Sequence, residues 1–139
     1  MPLFHKTQPF FSKVAQKHQQ CLYFLFRVLV GFLFLQHGAQ KLGLLDGTFG
    51  VQGLMGFIGV CEFVGGIAIV LGVLTRLVAV LGTIQLIAAY VVVHMVMGML
   101  PIVNKGELAL LYVASFAILF LYGAGKWSLE KHVLKKELF

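Results

Sequence analysis

Residues 27–42, RVLVGFLFLQHGAQKL, read as a helix of membrane-crossing character that carries three basic side chains, Arg27, His37 and Lys41. At about 100° per residue, Arg27, Gly31, Phe34, Gly38 and Lys41 fall on one side, and His37 stands one turn before Lys41 on the same flank. An ionisable group at bilayer depth costs roughly 2.5 to 3.5 kcal/mol on insertion scales, so this face must look into protein or water and away from lipid. Whatever covers it defines the fold.

The rest of the chain supplies the cover. Of its 139 residues, 60% are hydrophobic and 12% charged, and the mean hydropathy is +0.95, outside the range of a soluble domain of this size. Four apolar segments, about residues 22–42, 54–74, 77–100 and 107–125, each approach the roughly 20 residues a helix needs to cross the hydrocarbon. The expected fold is all-α: an integral membrane bundle of four antiparallel transmembrane helices with short loops. A segment 1–21 precedes the transmembrane domain 22–126, and a tail 127–139 follows it. The first span follows a polar and aromatic leader and lacks a small-residue cleavage site, so it reads as a span and not as a cleaved signal.

The net charge of +6 is not gathered into a nucleic-acid patch. With both termini in the cytoplasm, Lys6, Lys13, Lys17, Arg27, Arg76, Lys126, Lys131, Lys135 and Lys136 lie inside, against Lys41 and Lys105 outside. That asymmetry predicts a multi-pass membrane protein in this orientation. Cys21 and Cys61 have no CxxC spacing and read as buried small hydrophobes.

Along the chain, Pro9 breaks any earlier helix, and Phe10, Phe11 and Val14 suggest a turn or two lying on the inner leaflet. Gly43, Asp46, Gly47 and Gly50 supply the turn chemistry after the first span. The second span is rich in glycine, which allows close helix packing within the chain or between copies in a homo-oligomer. Glu62 lies among those glycines and must face inward. In the third span Tyr90, His94 and Met97 share a face, and Pro101 is expected to stop the helix. Glu107 opens the fourth span, where a carboxylate suits the helix dipole. Trp127 is placed as an interfacial anchor, Ser128 as the cap of a last helix, and Leu129, Val133, Leu134 and Leu138 as its apolar face. Arg27 with Gln36 and Arg76 with Gln85 share a spacing that hints at a duplicated hairpin.

Helical rise places several polar groups at one depth. His37 and His94 lie about 8 Å from the outer ends of their spans, Tyr112 about as deep, and Glu62 about 12 Å in. A polar pocket near the outer face is expected, formed by Arg27, His37, Lys41, Glu62, Tyr90, His94, Glu107 and Tyr112, with Glu62 and His37 as its pair. Arg27 either snorkels or reaches toward Glu62. Met95, Met97 and Met99 read as lipid-facing or core methionines, not as a copper site, and no metal site is assigned.

These residues together resemble the DoxX family of small four-helix bacterial membrane proteins. The likeness runs from Tyr23 to Glu130 and is carried by Arg27 with Gly31, HGAQKL at 37–42, EFVGGIAIVLGVLTR at 62–76, NKGELALLY at 104–112 and GAGKWSLE at 123–130. The resemblance implies an inner-membrane protein whose relatives are described as quinone-reducing subunits of thiosulfate oxidation or as membrane tethers for oxidative-stress enzymes. Arg27, Gly38, Lys41, Glu62, Gly72, Arg76, Asn104, Glu107 and Ser128 stand at the family's characteristic positions. The expectation is a membrane subunit or partner of a redox system that touches quinone, with no intrinsic cofactor or catalytic motif and with the bilayer and a redox enzyme as partners. The alternative is a scaffold, or a carrier of a small solute or proton.

Overall fold

The computed structural model describes residues 9–45 and 53–135 of the chain. Among them there is no strand. The elements are α1 (Phe10–Lys41), α2 (Gly53–Leu71), α3 (Thr75–Ala89), α4 (Pro101–Asn104), α5 (Glu107–Tyr122) and α6 (Leu129–Leu134). A π-helical turn, Tyr90–His94, and a 3-10 turn, Met95–Met97, extend α3. By length and composition α1, α2 and the α3 extension to Met97 can cross a membrane, and α5 is apolar but shorter, at 16 residues. The expectations for Lys6, Asp46, Gly47, Gly50, Lys136 and Leu138 fall outside the described residues.

Close backbone approach joins α1 to α2. A Cβ on Gly66 would stand 2.6 Å from the Leu35 Cβ and 2.7 Å from the Gly31 carbonyl, and one on Gly38 would collide with the backbone of Phe63. Apolar side chains gain nothing over lipid by meeting each other, so bare backbone is what lets these helices pack. The buried face of α2 is Gly56, Gly59, Glu62, Gly65, Gly66 and Ile69. Cys61 therefore points outward and is exposed, as is Cys21, which corrects their expected burial.

The second pair, α3 and α5, closes around Phe116, whose ring fills the space a side chain at Gly82 would need. Val30, Phe34, Ile69, Ala79, Leu86, Tyr112, Phe116 and Leu119 form the core. Phe34 meets Phe116 edge-on at 4.9 Å between centroids, joining one helix pair to the other. Many large apolar side chains on the outer faces stay exposed, among them Leu81, Ile84 and Leu121, a surface suited to lipid.

Several boundaries differ from expectation for local reasons. Nothing between Phe10 and Cys21 breaks a helix, and residues 15–20, AQKHQQ, mostly favour one, so α1 starts directly after Pro9. Its 32 residues span about 48 Å, against roughly 30 Å of hydrocarbon. The third helix ends at Met97 because Gly98 has φ +150°. Pro101 does not stop it; Pro101 begins α4, where its missing N–H costs nothing. At the other end Gly72 (φ +70°) and Leu74 (φ +51°) make the tight turn from α2 to α3.

Candidate functional site

Between the two pairs, at the end where α1 stops and α5 starts, lies a cavity of about 570 Å³. Small-molecule sites commonly occupy roughly 300–1,000 Å³. Its walls are apolar: Phe34 from α1, Leu54, Met55 and Ile58 from α2, Leu86, Ala88, Ala89 and Val92 from the third helix, and Leu108 and Ala109 from α5. Its polar lining is His37, Lys41, Glu62, Gln85, His94, Lys105 and Tyr112.

Glu62 organises the polar side. The residue is 3% exposed, so its carboxylate needs partners to offset lost hydration. One oxygen forms an ion pair with the Lys41 ammonium, and the other accepts a hydrogen bond from Gln85 Nε2 at 2.7 Å. This ties α1, α2 and α3 together at one depth. The expected partner, His37, instead sets its ring edge-on to Tyr112, with centroids 5.6 Å apart. Lysine serves the carboxylate better because its long flexible stem reaches back from the next turn and presents an ammonium head with three donors.

Tyr112 is 6% exposed and packs against Phe34 and Phe116. Its hydroxyl has no hydrogen-bond partner among the described residues. A buried polar group left unpaired costs about 1–3 kcal/mol, and such groups call for a water, an ion or a ligand.

Asn104, fully buried, holds the loop beside the cavity. Its Nδ2 donates to the Gly98 carbonyl at 2.8 Å, and its Oδ1 accepts from the Gly106 N–H at 2.8 Å. Its carbonyl accepts from His94 Nδ1 at 2.9 Å, so that ring nitrogen carries a proton. Asn104 and Gln85 were not among the expected site residues. The signal for both was an amide side chain inside or beside an apolar span, which has to find partners when buried.

Three expected members lie elsewhere. Arg27, 1% exposed, neither snorkels nor reaches Glu62, since fourteen residues of helix, about 21 Å, separate it from Lys41. It donates to the carbonyls of Ala124, Val70 (3.3 Å) and Trp127 (2.7 Å). The Val70 and Ala124 carbonyls lie where α2 and α5 end, at the negative poles of both helices, and the Trp127 carbonyl lies in the turn before α6, so a guanidinium is accommodated there without a carboxylate. Tyr90 braces the loop: its hydroxyl lies 3.5 Å from Asn104 Nδ2 and its ring stacks on His94. Glu107 is exposed at the start of α5 and lines only a shallow surface recess with Lys105. Ser128 accepts from the Lys131 N–H and caps α6.

The fold and this cavity define a helical membrane protein with a ligand-sized chamber between two helix pairs. The DoxX family model matches residues 22–95, more than half of the chain. An uncharacterised protein of Haemophilus influenzae is 36% identical over 125 residues, covering 82% of this chain and 93% of its own length. The Bacillus subtilis protein CatD, named as a candidate oxidoreductase, is 32% identical over 118 residues, covering 80% of this chain and 86% of its own. No solved structure matches. The chain belongs to the DoxX family.

Proposed function

We propose that this protein is a multi-pass protein of the bacterial inner membrane, both termini cytoplasmic, that serves as the membrane subunit or partner of a redox system and binds a quinone in its cavity. On this reading α5 completes a four-span bundle and the cavity opens in the outer leaflet. The name carried by the Bacillus subtilis relative and the distribution of basic residues support it.

The observation that carries the reading is the Tyr112 hydroxyl, buried without a partner in an apolar chamber whose lining also holds Lys41, Gln85 and His37. A quinone offers flat apolar rings for the walls and carbonyl oxygens for such donors. When bound it supplies two-electron, two-proton redox chemistry. Tyr112 and Lys41 would hold its oxygens, and His37 would move protons. The sequence shows no cofactor motif, so on this reading electrons come from a partner enzyme. A homo-oligomer would use faces other than the α2 glycines, which pack within the chain. Protein extracted gently from membranes should retain ubiquinone or menaquinone, and Glu62→Gln should retain less; quinone-free wild-type protein contradicts the proposal.

One observation favours a second reading, a non-enzymatic scaffold or a carrier of a small solute or proton: both oxygens of Glu62 are already engaged, by Lys41 and Gln85. Such a protein would keep its partners assembled or its solute moving with no bound quinone.

A further inference from the structure

The geometry points to sideways entry from the bilayer, through a gap between α2 and α3, and hence to a lipid-borne ligand whose apolar tail remains in that gap. This rests on the reading of the cavity as a ligand site. Near the Gly72–Leu74 turn the two helices are close: a Cβ on Gly65 would stand 3.1 Å from Val78 Cγ1. The Gln85–Glu62 hydrogen bond, 2.7 Å long, bridges them farther along. Beyond it, α2 presents Ile58, Met55 and Leu54 while the third helix presents Ala88, Ala89 and Val92, all lining the cavity.

Several of these wall residues also form the outer surface. Leu54 is 74% exposed, Met55 57% and Val92 70%, so the wall is interrupted here and its edges face the surroundings. The cause lies in the packing. Glycines hold α2 against α1, and the Gly82–Phe116 contact holds α3 against α5. Between α2 and α3 the links are the tight turn at one end and the Gln85–Glu62 hydrogen bond farther along; beyond that bond both helices line the cavity, and alanines at 88 and 89 are too small to fill the space. The α-helical pattern also gives way to a π turn at Tyr90, a feature frequent at functional sites. The opening is apolar throughout, which suits an isoprenoid tail and repels a water-borne polar solute. The polar set around Glu62 lies deeper, where a head group would stop.

The test uses the full chain in lipid nanodiscs, with Ala88→Trp to plug the gap and Ala88→Val as a milder variant. The probes are ubiquinone carrying a long isoprenoid tail, supplied in the bilayer, and ubiquinone carrying one isoprenoid unit. Ala88→Trp should weaken the long-tailed probe by about tenfold or more and Ala88→Val by less; because Ala88 also lines the cavity, the short probe can weaken too, but by clearly less, and an equal loss for the two probes overturns the gap. Equal binding of both probes by wild type and Ala88→Trp overturns the gap while leaving the cavity reading intact. Binding of neither probe by wild type overturns the cavity reading and this one with it. Independently of quinone, Ala88→Trp in a Trp127→Phe background should be quenched by acyl-chain-brominated lipid; unquenched emission overturns lipid access.

Discussion

Lys41, in the last turn of α1, is ion-paired to Glu62, in the middle of α2, and the carboxylate side chain is only 4% exposed. Each group makes the other's position tolerable, and the pair fixes the register of two helices that otherwise meet through bare backbone. Gln85 extends the link to the second helix pair.

Lys41→Met should lower stability by about 3 kcal/mol, at the low end for a broken buried pair, because the lysine side chain is 29% exposed. Adding Glu62→Gln should recover much of that loss. Thermal unfolding in detergent for the two single variants and the double variant measures the coupling.

Gly66→Ala and Gly38→Ala should each destabilise by about 1–3 kcal/mol through overpacking, since the new methyl meets backbone that cannot yield. Gly65→Ala should be milder, because its methyl meets the Val78 side chain at 3.1 Å, which can give slightly. Comparing the three melting temperatures checks the order.

Arg27→Met should loosen the turn between Ala124 and Trp127, whose carbonyls the guanidinium holds. The accompanying loss should be about 1.5–3 kcal/mol for each charged hydrogen bond whose acceptor is left buried. Limited trypsin digestion should then cut faster after the exposed Lys126. Arg27→Lys should rescue this only partly, because one ammonium cannot span three carbonyls on two sides.

Tyr112→Phe should leave stability unchanged or slightly raised, because it removes a hydroxyl without a partner. A clear drop in melting temperature would show that the hydroxyl is satisfied within the fold.

The helical plan was legible because apolar runs of membrane length are hard to read otherwise, and Glu62 had to face inward for the same reason. The pairing was not legible. Depth arithmetic treats side chains as points, so it put His37 nearest Glu62, whereas the longer Lys41 takes the carboxylate. Arg27 could not be read either: its acceptors are backbone carbonyls 43 to 100 residues away in the chain, and carbonyls leave no mark in a sequence. The π turn at Tyr90 was hidden because one extra residue in a turn barely disturbs the apolar pattern, yet it helps decide that Tyr90 braces Asn104 instead of lining the cavity.

The claim at the centre is that the chamber beside Tyr112 holds a quinone. Titrating ubiquinone with one isoprenoid unit into purified wild-type protein and Tyr112→Phe tests it most directly. Saturable binding is predicted, weaker by about fivefold in the variant, the worth of roughly 1 kcal/mol of hydrogen bonding. No saturable binding to wild type, or identical affinity in the two proteins, would contradict it.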